Sequence, residues 1–144
     1  MAFYVASFLF VAAANAWACS LSPDTPEPTA KERFDRANTI LVARMTKVEE
    51  IEAPEGFGNF PLVEGTLRPI ELLKGELPAG NKVRGPVYGP GNCSIPFFAG
   101  WDYILYLDGE HNFVLWPSGS EAYFNIDGKE PQEALAELRA LAKR

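Results

Sequence analysis

Cys19 stands directly behind an uncharged stretch, MAFYVASFLFVAAANAWA, and only one other cysteine, Cys93, follows it. The run from Ala2 to Ala14 is almost wholly apolar, and Ala16-Trp17-Ala18 places small residues where a signal peptidase accepts them. Residues 1–18 therefore read as a signal peptide and residues 19–144 as one domain that begins on Cys19. Export places the domain outside the cytoplasm, secreted or periplasmic, where two cysteines most simply form one disulfide. The constraint on the fold is severe. Free termini usually fray, whereas this one is expected to be tied to residue 93.

Two other readings of the same segment stay open. As a membrane anchor the apolar run is short of the roughly 20 residues that span a bilayer, and it ends in small residues without a basic flank. As a lipoprotein signal it would leave a lipid anchor at Cys19. Ala16, however, stands where such signals usually carry Leu, and Cys93 would lose its partner.

Charge narrows the partners. The chain holds 13 Lys and Arg against 19 Asp and Glu, a formal charge of −6. The cations are scattered and form no basic stripe, which argues against a nucleic-acid backbone as partner. No second apolar segment is long enough to be a membrane span.

Residues 20–30 carry three prolines and form an extended lead-in. Thr29 and Glu32 match a capping box, which predicts a short helix from Ala30 to Ala37. Thr39–Val48 is β-branched and apolar, the pattern of a long first strand. Residues 52–62 form a loop that presents Phe57 and Phe60. Val63–Lys74 is a second strand with Leu67, Ile70, Leu72 and Leu73 as core candidates. Pro69 cannot donate to a ladder and marks an edge or a bulge. Lys82–Tyr88 is a third strand, and Gly89-Pro-Gly-Asn92 a tight connector into Cys93. Trp101–Leu107 is the clearest strand, with Trp101, Tyr103, Leu105 and Leu107 on one face. Asn112–Trp116 is expected to return as its hairpin partner. An extended piece is expected within 122–126, and a closing helix over Pro131–Lys143 with Leu135, Leu138, Leu141 and Ala142 as its buried stripe. The expected class is mainly β: a five-stranded OB-fold-like barrel with a short N-terminal helix and a C-terminal helix.

Several of these motifs together resemble the netrin-like domains, the OB-fold family that includes the tissue inhibitors of metalloproteinases. Cys19-Ser20 resembles the inhibitors' opening Cys followed by a small hydroxyl residue. The strand ending Leu67, Ile70, Leu72, Leu73, Lys74, Gly75 is similar to the family's second strand, which closes on Lys-Gly. Cys93, Gly100, Tyr103 and Leu107 follow the order of the family's cysteine, glycine and Tyr-Leu-rich strand. The separation of Cys19 from Cys93 resembles the disulfide that pins the family's N-terminus. The chain departs from the inhibitors at Leu21, where they carry a second cysteine, and it lacks their further disulfides.

The resemblance implies a binding role for the N-terminus. A free α-amine on a rigid Cys19, with an ordinary pKa of roughly 7.7–8.0, could chelate the catalytic zinc of a partner protease, with Ser20 facing its specificity pocket. A plain structural staple explains the same cysteines. Phe57, Phe60, Tyr88 and Asn92 are the further binding candidates, as residues of loops near Cys19 and Cys93. The alternative for the phenylalanines is that they cap the barrel.

Catalytic sets are missing from the sequence. His111 is the single histidine and falls in a turn. There is no Gly-x-Ser-x-Gly, and the 89–92 connector lacks the Lys-Ser/Thr of a phosphate loop. Glu49, Glu50 and Glu52 read as a solvated strand end. With one histidine and two paired cysteines, neither an intrinsic metal site nor a cofactor is expected. The sequence thus points to a non-enzymatic exported module that recognises another extracytoplasmic protein, and the resemblance implies a zinc metalloprotease as that partner; the alternative is a cell-envelope structural or accessory protein.

Overall fold

The computed structural model describes residues 26–54, 61–89, 93–109 and 111–144. The signal segment, Cys19, Ser20, Phe57, Phe60 and Asn92 lie outside the described residues. The elements in chain order are α1 (Ala30–Arg36), β1 (Thr39–Ile51), β2 (Leu62–Lys74), β3 (Lys82–Pro86), β4 (Asp102–Leu107), β5 (Glu121–Tyr123) and α2 (Lys129–Ala142). All five strands join one antiparallel sheet in the order β3-β2-β1-β4-β5. No ladder links β3 to β5 among the described residues, so the sheet stays open where a barrel would close.

The capping box forms as the sequence predicts. Glu32 N–H donates to the Thr29 hydroxyl at 3.2 Å, and Thr29 N–H donates to the Glu32 carboxylate at 2.8 Å. The other end of α1 is capped from a distance. Lys74 Nζ donates to the carbonyls of Phe34 and Asp35 at 2.7 and 3.2 Å and lies 5.1 Å from the Phe34 ring centroid. A cation is favoured at these orphan carbonyls. Gly75 follows with φ +74°, and a Cβ there would sit 2.1 Å from the Asn38 carbonyl oxygen. The Lys-Gly pair that ends β2 is thus a junction between strand and helix.

β4 and the first half of β1 are buried on both faces, and their alternation sorts residues into two cores. Leu41, Ala43 and Met45 join Tyr103, Leu105 and Leu107 on one face, with Leu67, Val83, Ile95 and Val114 packed over them. Ile40 and Val42 join Ile104 and Tyr106 on the other, beneath Leu135 and Leu138 of α2. Leu141 is only part-buried, and Ala142, expected in the stripe, is exposed. Trp101 packs at the margin of the first core.

β2 departs from the expected pattern. Ile70 and Leu72 are 49% and 45% exposed, not core. The register of β2 is irregular here. Val42 pairs with Glu71 and Ala43 with Pro69, which leaves Ile70 as an extra residue, and a second shift leaves Leu73 extra between Leu72 and Lys74. Each bulge moves the following side chains to the other face. The bulge expected beside Pro69 is present, and neither Ile70 nor Leu72 joins a core cluster.

The expected hairpin is also replaced. Phe113 forms a parallel bridge with Arg84 of β3, supported by Arg84 N–H to Asn112 O at 3.0 Å and Val114 N–H to Arg84 O at 2.7 Å. β5 takes the edge of β4 instead. Burial of Val114 in the first core favours this course, and Asn112, at φ +53°, redirects the chain into it.

Candidate binding edge

Pro61 and Tyr88 stand at one end of β3. Leu62 pairs with Pro86, and Val87 N–H donates to the Pro61 carbonyl at 3.3 Å. Pro61 is thus bonded next to Tyr88, which is 65% exposed. The parallel bridge at Arg84 and Phe113 sends both chains onward in the same direction. Trp116, three residues past the bridge, donates its N–H to the Cys93 carbonyl at 2.8 Å.

Cys93 opens a segment held by one buried tyrosine. The Tyr103 hydroxyl donates to Pro96 O at 2.9 Å and accepts from Phe98 N–H at 2.7 Å. Phe97 packs edge-on against its ring, with centroids 6.2 Å apart. Burial raises the Tyr103 pKa, so the hydroxyl keeps the proton it donates. Cys93 is not a free cysteine; its expected partner, Cys19, is outside the described residues.

The lead-in approaches the same place. Glu27 and Pro28 share a cavity with Trp116 and Pro117. Glu27 and Pro28 thus lie beside Trp116, which holds Cys93.

Ion pairs fix the strands behind this edge. Glu64 is nearly buried and accepts from Lys82 Nζ and, at 3.0 Å, from Arg84 Nε. The hydrogen bond from Lys82, then that from Arg84, holds its carboxyl below the usual range against the opposing effect of burial. On the far side of the sheet, fully buried Asp102 accepts from Arg44 Nε and Nη2 at 2.8 and 2.9 Å and from Ile126 N–H at 3.1 Å. Arg44 foremost lowers the Asp102 pKa. This bidentate pair ties the approach to α2 onto β1 and β4.

The sequence reading missed an aromatic group. Phe98 lies 4.8 Å from Trp101 and Trp101 5.9 Å from Phe124, centroid to centroid, and Phe124 is 78% exposed. Phe98 and Trp101 flank one turn and were within reach of inspection; Phe124 arrives only through the β4–β5 pairing. His111 is exposed, as its turn position suggests. Among the described residues no group of three or more His, Cys, Asp or Glu could hold a metal ion, and no helix is long and apolar enough to cross a membrane.

No family model matches the chain, and no curated protein matches it.

Proposed function

We propose that this chain is an exported, netrin-like module with an OB-fold-like core, and that it acts by binding another extracytoplasmic protein. The recognition surface is the Cys19 terminus with Ser20, the Phe57/Phe60 loop, Tyr88 and Asn92. One observation supports the reading: Val87, next to Tyr88, bonds Pro61 at the end of β3, and Trp116, in the segment bridged to that strand, holds Cys93 beside Glu27 and Pro28. A Cys19–Cys93 disulfide would bring the mature N-terminus to that edge. Five antiparallel strands and a helix at each end of the fold support the family reading.

The partner class that follows from a pinned N-terminal amine is a zinc metalloprotease, whose metal the amine and adjacent carbonyl would chelate. The mature protein, assayed against a panel of zinc metalloproteases, is expected to inhibit at least one. Adding one Ala ahead of Cys19 moves the amine by about 3.5 Å and should abolish inhibition without altering thermal stability. Equal inhibition by the extended protein would overturn chelation. Failure to inhibit any member would shift the reading to an envelope accessory protein, and a diacylglyceryl mass on Cys19 would make that a lipid-anchored one.

A further inference from the structure

A cavity of about 170 Å³ opens between α1, the end of β4 and the 117–118 turn. Its walls include Ala37, Leu107 and the Tyr106 ring, and Arg33, Arg36 and Asp108 bring its charged groups. Two guanidinium groups and one carboxylate line this cavity, while Glu27, Glu121 and Glu137 border Arg33 from the adjoining cavities.

Arg33 is held in position by the backbone opposite. Gly119 has φ +93°, and a Cβ there would lie 2.7 Å from Arg33 Cδ. The glycine lets the arginine stem lie against the turn. The Arg33 ion pair with exposed Glu27 is long, at 3.8 Å, and surface pairs of that kind contribute little. Arg36 lies one turn further along the same helix face. Two adjoining cavities, of about 160 and 130 Å³, also have Arg33 in their walls. Burial pushes the Tyr106 hydroxyl up to about 12, so at neutral pH it is a donor.

We propose that this cavity binds a small organic monoanion, a carboxylate on a compact apolar body. Arg36 and Arg33 would hold the carboxylate, and Tyr106, Leu107 and Ala37 would cover the body. Guanidinium groups match the fork of a carboxylate. The volume falls below the roughly 300 Å³ at which pockets for drug-sized ligands begin, which restricts the body to about the size of a single ring. The largely apolar wall disfavours inorganic phosphate, which would leave its remaining oxygens without donors. This inference does not rest on the protein-recognition reading, and failure of the protease panel leaves it standing.

Benzoate, benzamide and inorganic phosphate are the probes, titrated into the protein and followed by amide NMR. Benzoate is expected to give saturable shifts around Arg33, Arg36 and Tyr106. Neutral benzamide should bind about tenfold more weakly, as should benzoate to Arg36→Gln, since each loses a charge-assisted hydrogen bond. Arg36→Lys should recover part of the affinity, and unchanged dispersion elsewhere in the spectra would show that each variant is folded. Benzamide binding as tightly as benzoate, phosphate binding more tightly, an Arg36→Gln affinity equal to the parent's, or no saturable shift by about 10 mM would each overturn the proposal.

Discussion

Over one face of the sheet, α2 lays Leu135 and Leu138 on Ile40, Val42 and Ile104. Over the other, Ile95, Val114 and part-buried Phe97 come from irregular chain and close on Leu41, Met45, Tyr103 and Leu105. The first cover is one amphipathic helix, held at its side by Arg139 to Glu71, with Nη2 to Oε2 at 2.6 Å. The second is assembled from segments distant in sequence and held by backbone bonds and the Tyr103 hydroxyl. The candidate binding edge belongs to the second. The comparison teaches that the face with the least regular cover is the one that brings separate loops to one place.

The largest effect should come from the joint between the two halves. Arg44→Ala leaves the fully buried Asp102 carboxylate with only the Ile126 N–H as hydrogen-bond donor, and should cost about 3–5 kcal/mol by chemical denaturation. Its acid sensitivity should change as well. The folded-state pKa values of Asp102 and Glu64 are lowered, so their stabilisation is present above the ordinary carboxylate range, near pH 4, and is lost as pH falls through the folded values. The variant should show a shallower loss of stability on acidification. An unchanged acid profile would mean that Asp102 does not report on this pair.

Leu105→Ala and Leu138→Ala each empty one core, and each should cost roughly 2–5 kcal/mol. Both variants should unfold in a single transition, because β1 and β4 contribute side chains to both faces. A separate early transition in Leu138→Ala alone would show that α2 is a detachable cover and would break the comparison.

Tyr103→Phe tests the irregular cover directly. Loss of the hydroxyl leaves Pro96 O and Phe98 N–H without their partner and should cost about 1–3 kcal/mol. Hydrogen exchange should accelerate in 93–98 more than in α2. Equal acceleration in both would remove the distinction between the faces.

The smallest effect is expected at a position that periodicity alone would place in the core. Leu72→Ser should change stability by no more than about 0.5 kcal/mol, since Leu72 is exposed and belongs to neither core cluster. A loss of core size, read from the denaturation midpoint, would put Leu72 back in the core.

The helices and the central strands were legible because their information is local. Thr29 and Glu32 cap within one turn, α2 repeats its leucines at helical spacing, and Tyr103, Leu105 and Leu107 alternate as a strand requires. The site was legible only in part. Tyr88 and Cys93 stand out as residues, but nothing in the sequence shows that Pro61 meets Val87 or that Trp116 holds Cys93.

By itself, then, the sequence determined a mainly β chain with a capped helix at the front, a leucine-striped helix at the back and a cysteine at 93 set in turn-forming residues. Tertiary structure alone decided which strand borders β4, which β2 side chains face inward and which loops share an edge. The physical reason is common to all three. Short strands and loops are placed by ladder bonds and burial against residues far along the chain, and a single inserted residue reverses a strand's facing. Such choices carry no local period, and they leave no mark until the chain has closed on itself.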